Sequence, residues 1–406
     1  MNSFYNENKF CNLCKSSDLE EIIYFGKHPI AHRLLNQKYE AEYKNSVDLI
    51  FCKNCGLVQL GKPIPKDELY FNYNWLSSWK NNPQTEKLIS LILNKFIVDK
   101  KSKIVEIGCN DGNFLKILSK LGYVNLLGVE PSADGYNASC KNKINTINCY
   151  LTHNSADEIV KIHGQFDFLI ARHVIEHITE LDELIEAIKI LLKDNALILI
   201  EVPNLDFILN RFDYSSIWEE HVNYFNLDIL KYLCSQIGAQ IIHDEVYHFS
   251  GETLLVFFKY SNKSASFETK YLPNHFSNIS LFKKRWPYFK HELNKYLEKL
   301  KKKNNKIAIY GAGCRACSII NYTQIGRYFD CCFDDQLEKQ NKYLPGSHIQ
   351  ILPGSKLIEI EPDYCFLAVN AENELNIINT HSRYLSQGNK FVSILPPSNM
   401  LPSFFG

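Results

Sequence analysis

The segment KIVEIGCNDGNFLKIL (103–118) constrains this chain more than any other stretch of it. An apolar, β-branched run ends at Ile107, the loop GCNDGN follows, and a helical pattern starts near Phe114. A strand that feeds a tight turn and then a helix is half of a βαβ unit and calls for a parallel neighbour. LLGVEPSADG (126–135) supplies that neighbour and ends on Glu130. Gly108 and Gly112 let the backbone approach a ligand closely and adopt positive φ. The first N–H groups of the helix are open to a carboxylate. An acid at the end of the next strand can accept two ribose hydroxyls. The loop is not G-x-G-x-x-G, because Cys109 is followed by Asn110 and Asp111. The spacing to Glu130 also occurs in dinucleotide sites, so NAD remains a rival ligand. Cys109 itself reads as a small packed thiol.

The same alternation continues along the chain. Strand-like runs at 103–107, 125–129, 166–171, 196–201 and 254–259 are separated by helical patterns. This predicts an α/β fold with a doubly wound, mostly parallel sheet covered by helices. With 406 residues the chain suits two or three domains. SLFKKRWPYFKHELNKYLEKLKKKNNK (280–306) reads as a connecting helix with a solvated basic end. Beyond it, KIAIYGAGCRA (306–316) repeats the strand and glycine turn, and CCFDDQ (331–336) and DYCFLAVN (363–370) extend a smaller α/β unit. This second turn has two readings, a contact with the substrate or plain architecture. Expected boundaries are 1–70, 71–262, 263–304 and 305–406.

Cys11 and Cys14 form one C-x-x-C pair, and Cys52 and Cys55 form another. Two such knuckles suit tetrahedral zinc held by four thiolates. Four sulfurs fill the coordination sphere, so the ion is expected to be structural. A module this small buries little core, and metal binding should supply much of its stability.

Composition excludes several classes of function. The 45 basic and 45 acidic side chains balance, which disfavours binding to a nucleic-acid backbone. No apolar stretch approaches about 18 residues, so no membrane span is expected. The polar opening MNSFYNENKFC lacks the pattern of a secretory signal. Thirteen cysteines, an odd number spread along the whole chain, do not look like a disulfide scaffold. A cytoplasmic protein with reduced thiols follows, a monomer or weak dimer.

VEIGCNDGNFL followed by GVEPS resembles the first two motifs of class I methyltransferases, and IARHVIEHI (170–178) resembles their post-motif segment. Together with the paired C-x-x-C start, YNWLSSW (73–79), SSIWEEHVNYF (215–225) and YLPGSHIQILP (343–353), the chain resembles the sugar C-methyltransferases over nearly its whole length. Those enzymes act on nucleotide-linked keto-deoxysugars. They join a zinc-binding module, a class I methyltransferase core and a C-terminal Rossmann-like domain. The resemblance implies S-adenosylmethionine and structural Zn2+ as cofactors. It implies that Gly108, Asn110, Asp111, Gly112, Glu130 and Pro131 line the methyl-donor pocket, with Arg172 and His173 beside it.

Methylation of carbon needs removal of a proton next to a carbonyl, hence a general base and a donor for the enolate oxygen. Histidine suits the first role. SIWEEHVNYF offers Glu219, Glu220, His221, Asn223 and Tyr224, and VIEHI offers Glu176 and His177. Both segments follow strands of a doubly wound sheet, so they should converge on one cleft. By resemblance His221 is the base, Glu220 an acid that orients it, and His177 a second active-site histidine. Trp218 and Trp75 stand where the family carries tyrosines and are read as cleft residues, with Asn204 and Tyr224. The expected reaction is methyl transfer from S-adenosylmethionine to carbon 3 of a nucleotide-linked 4-keto-deoxysugar. The alternatives are a sugar O-methyltransferase, an NAD-linked oxidoreductase and a non-catalytic nucleotide-binding zinc scaffold.

Overall fold

The computed structural model describes residues 9–70, 83–261 and 276–405. Leu19–Pro29 (β1), Lys44–Cys52 (β2) and Val58–Leu60 (β3) form an antiparallel sheet beside the cysteine knuckles. The central sheet is built from Lys103–Ile107 (β4), Asn125–Val129 (β5), Thr146–Ile147 (β6), Phe166–Arg172 (β7), Leu192–Pro203 (β8), Ala239–Tyr247 (β10) and Thr253–Tyr260 (β11). Between β8 and β10 the chain places a short strand, Asn223–Tyr224 (β9), which leaves the central sheet and pairs with β3. The central order is β10-β11-β8-β7-β4-β5-β6. Strands β4 to β8 run parallel, and β11 lies antiparallel between β8 and β10. This is a doubly wound, mostly parallel sheet, as the alternating runs of the sequence predict. Its inner strands are buried on both faces, which is why KIVEI and FDFLIAR read as nearly continuous apolar runs.

Strand order reverses at β4, with β5 on one side and β7 on the other. A crevice therefore opens beyond the C-terminal ends of these strands, where ligands of such sheets bind. The turns after β4, β5, β7 and β8 all end there.

The helix Phe276–Lys301 leads to the third sheet. Ile307–Tyr310 (β12), Cys332–Asp334 (β13), Ile351–Pro353 (β14), Tyr364–Leu367 (β15) and Lys390–Ser393 (β16) form an all-parallel sheet in the order β14-β13-β12-β15-β16. The three sheets share one buried apolar cluster. Phe25 of β1 stacks on Tyr322 and meets Trp286 edge-on, with ring centroids 4.4 Å and 5.0 Å away. Tyr214 packs on Phe282, Trp286 and Phe289 of the long helix. Among the described residues no helix is long and apolar enough to cross a membrane.

Candidate active site and zinc site

The cysteine knuckles close on each other. Cys11 Sγ lies 3.5 Å from Cys55 Sγ, and Cys14 Sγ lies 3.5 Å from Cys52 Sγ. All four sulfurs fall within 4.8 Å of one another. A disulfide needs about 2.05 Å, whereas thiolates around one zinc sit about 3.8 Å apart. The N–H groups of Leu13 and Cys14 point at Cys11 Sγ, and the Asn54 amide donates to Cys14 Sγ. Gly56, at φ 84°, supplies the turn after the second pair.

The turn after β4 holds three residues at positive φ: Gly108 (63°), Asn110 (51°) and Gly112 (70°). A Cβ on Gly108 would stand 2.4 Å from Val174 Cγ2, and one on Gly112 would stand 2.5 Å from Ser139 Oγ. Both positions therefore need glycine for space as well as for backbone angle. Glu130 ends β5 at 6% exposure. Its Oε2 accepts the Asn110 N–H at 2.8 Å, while its Oε1 accepts the N–H and hydroxyl of Ser132. No cation pairs with it among the described residues, so the carboxylate keeps lone pairs for further donors. Asp111 accepts the Asn113 N–H and starts the helix Asn113–Lys120. Asn148 donates to the carbonyls of Glu130 and Pro131. Cys109 packs where a side chain on Gly128 would go, 2.5 Å from that imagined Cβ, and burial raises its thiol.

A buried charge network lies under this turn. Arg172 Nε donates to Glu201 Oε2 at 2.6 Å and its guanidinium rests 4.6 Å from the Phe114 ring centre. His173, at φ 51°, spans Glu201 Oε1 (3.1 Å) and Glu176 Oε1 (3.3 Å). The Tyr247 hydroxyl also donates to Glu201. Burial alone would raise the Glu201 carboxyl, but Arg172 and His173 hold it well below the usual carboxylate range. Burial would likewise lower His173, yet the Glu176 and Glu201 carboxylates push it up to about 9. Glu106, 4% exposed, is pushed up to about 8 by burial, against the pull of Arg172.

Two histidines from separate loops meet beside this network. The His177 and His221 rings stand edge to face, 4.9 Å between centroids. His177 Nδ1 donates to the Glu220 carbonyl at 2.9 Å, which leaves Nε2 as the ring's unprotonated nitrogen in the neutral form. His221 is 7% exposed and packs against Trp218, with ring centroids 3.8 Å apart and planes tilted by 37°. Burial, then His177 and His173, pulls its pKa well below 6.5, so the ring is neutral at pH 7. The Glu220 carboxylate goes to His32 Nδ1 at 2.7 Å, and Glu219 accepts the Ala31 N–H at 2.6 Å. Burial and the neighbouring Glu220 push Glu219 up to about 7.

Tyr224 is buried on β9, its ring 6.4 Å from His221. Asn204 is a helix cap: its Oδ1 accepts the Asp206 N–H and its amide donates to Glu252. Trp75 lies outside the described residues. A cavity of about 510 Å³ lined by Lys301, Lys306, Asp330 and Pro362 shares no residue with this region. The acid–base groups lie at the ends of the central strands instead.

Three sequence families match the chain in order. "Putative zinc binding domain" covers residues 11–70, "Methyltransferase domain" covers 81–244, and "C-methyltransferase C-terminal domain" covers 263–396. C-methyltransferase NovU of Streptomyces niveus is 24% identical over 409 residues, covering 96% of each chain. The chain is an S-adenosylmethionine-dependent methyltransferase, similar to C-methyltransferases in all three of its parts. Solved structures similar to this chain include an S-adenosylmethionine-dependent methyltransferase from Anabaena variabilis, 17% identical, covering 49% of this chain and 96% of that one, with a TM-score of 0.39. Magnesium protoporphyrin IX methyltransferase of Synechocystis with bound S-adenosylmethionine is 12% identical, covering 44% and 78%, with a TM-score of 0.33.

The methyltransferase has residues that fit both its cofactors. Four converging thiols suit zinc. The glycine turn and a buried carboxylate with no cation beside it among the described residues suit a nucleoside with ribose hydroxyls. Several residues of this region carry no sequence signal of their own. Glu106 and Glu201 could have been noticed as acids inside otherwise apolar strands. His32 and Tyr70 could not, since nothing local distinguishes them. Tyr70 feels the charges of Glu220, Glu176 and Glu130 together, and burial with those charges raises its hydroxyl.

Proposed function

We propose that this C-methyltransferase methylates carbon 3 of a nucleotide-linked 4-keto-deoxysugar, with His221 as the base. S-adenosylmethionine, when bound, supplies an electrophilic methyl group on a sulfonium. Gly108, Asn110, Asp111 and Gly112 would shape its bed, Glu130 would accept the ribose hydroxyls, and Pro131 would border them. Arg172 and His173 would back the pocket as fixed positive charges. The division at 1–70, 71–262, 263–304 and 305–406 goes with this reading, supported by three sheets and a bridging helix.

One observation carries the chemistry: His221 is buried with its ring 4.9 Å from that of His177 at the ends of the central strands. A base must be unprotonated to work, and burial keeps this ring so. His221 would take the proton alpha to the ketone, and the resulting carbanion would attack the methyl carbon in line, with the sulfonium S–CH3 bond breaking and S-adenosylhomocysteine leaving. Trp218, packed against the ring at a tilt, would hold it in place. Holding both reactants aligned away from water would supply much of the rate. The test is deuterium uptake at carbon 3 of a nucleotide 4-keto sugar, with S-adenosylhomocysteine in place of the methyl donor. The wild type should exchange that proton. His221→Ala should cut exchange and turnover by at least about a hundredfold with S-adenosylhomocysteine affinity near normal. Turnover without exchange would favour oxygen as the acceptor.

A further inference from the structure

Glu219 and Glu220 are held by two consecutive residues of the zinc-binding module. Glu219 Oε1 accepts the Ala31 N–H, and Glu220 Oε1 meets His32 Nδ1. The whole segment that bears His221 is fastened to this module. Leu60 N–H donates to the Val222 carbonyl, β9 pairs with β3, and the Asn12 amide donates to Asn223. Glu220 is thus held at two ends. Its carboxylate is tied to the module, and its carbonyl accepts the His177 Nδ1 hydrogen at 2.9 Å. His32 and Glu220 side chains are 10% and 3% exposed, so little solvent screens the pair.

We propose that His32 is a positioning residue of the active site: by anchoring the Glu220 carboxylate, it holds the Glu220 carbonyl against His177 and so fixes the tautomer that His177 presents to His221. The zinc-binding module then sets the geometry of the catalytic histidines, beyond stabilising its own fold. The donor set explains why a histidine works here. Nδ1 reaches Glu220 at 2.7 Å, while the ring stays at the buried edge of the module. Groups that act on the pair from neighbouring elements are Glu219, Tyr70, Glu176, His177 and His221. A carbonyl that drifts from His177 Nδ1 leaves the imidazole free to exchange tautomers, and a base or hydrogen-bond partner in the wrong tautomer is ineffective.

The inference rests on the active-site reading above, and its test separates the two. Full-length, zinc-loaded enzyme with S-adenosylhomocysteine and 15N-labelled histidine is compared as wild type, His32→Ala and His32→Asn. In the wild type, the His177 resonance should show hydrogen on Nδ1. In His32→Ala, it should show a tautomer mixture, with zinc content and S-adenosylhomocysteine affinity unchanged. His32→Asn, whose amide can donate near the Nδ1 position, should restore the wild-type signal. On a nucleotide 4-keto sugar, His32→Ala should lower kcat by about ten- to a hundredfold with little change in KM. A His32→Ala/Glu220→Gln double variant should be no slower than the worse single one. An unchanged His177 signal in His32→Ala, or additive losses in the double variant, would overturn the proposal. Absence of any sugar methylation by the wild type would sink the substrate reading instead, and the tautomer signal would still decide the role of His32.

Discussion

The chain contains two strand–glycine turn–helix units, and the same acid device closes both. After β4, the Asn110 N–H donates to Glu130 at the end of β5. After β12, the Ala312 N–H donates to Asp334 at the end of β13, again at 2.8 Å. The two differ in what stands around them. Glu130 has no cationic partner among the described residues, while Asp334 has Lys339 Nζ at 3.4 Å. Behind the first turn lie Glu106, Arg172, His173 and Glu201, and the paired histidines. At the second, Arg315 in the first turn of the helix Cys314–Thr323 reaches across to the central domain. It bonds Asp213 Oδ2 (2.7 Å), Ser215 Oγ (3.1 Å), Asn370 Oδ1 (2.9 Å) and the Pro396 carbonyl (2.9 Å). On the proposed reading the first turn faces the methyl donor, whereas the second carries contacts that join its domain to the central one. A glycine turn followed by an acid is therefore insufficient to define a cofactor site. The partners at the strand ends decide its use.

This contrast can be broken by substitutions made in parallel. The largest effect on stability is expected from Arg315→Ala, which leaves Asp213 buried at 0% exposure without its cation. Urea unfolding should show a loss of about 3–5 kcal/mol. S-adenosylhomocysteine affinity should stay within about twofold, and a larger fall would blur the distinction between the turns. A smaller effect separates the glycines. Gly108→Ala forces a Cβ against Val174 at positive φ and should weaken S-adenosylhomocysteine by at least about tenfold. Gly313 has open space around it and lies at φ −97°, so Gly313→Ala should change stability by no more than about 0.5 kcal/mol and leave binding alone. Equal effects at the two positions would contradict the comparison.

Much of the central sheet was legible because its strands are buried on both faces and read as apolar runs. Predicted runs at 103–107 and 125–129 coincide with β4 and β5, and the helix begins one residue before Phe114. Two strands escaped for different reasons. Thr146–Ile147 is too short to carry a period. AQIIHDEVY, the edge strand β10, buries only Ala239 fully and mixes charge into its pattern. The cysteine knuckles and the Gly108–Glu130 pair were readable because their chemistry is local. The His32–Glu220 contact joins residues 188 apart, and long-range contacts such as the pairing of β3 with β9 bring them together. The joint made by Arg315 was equally hidden, since nothing near GAGCRA announces Asp213.

Titrating S-adenosylhomocysteine calorimetrically into wild type, Glu130→Ala and Asp334→Ala tests the central claim most directly. The account predicts binding by the wild type, an affinity lower by about ten- to a hundredfold in Glu130→Ala, and an unchanged affinity in Asp334→Ala. Loss of binding in Asp334→Ala with Glu130→Ala unaffected would place the methyl donor at the other turn and contradict it.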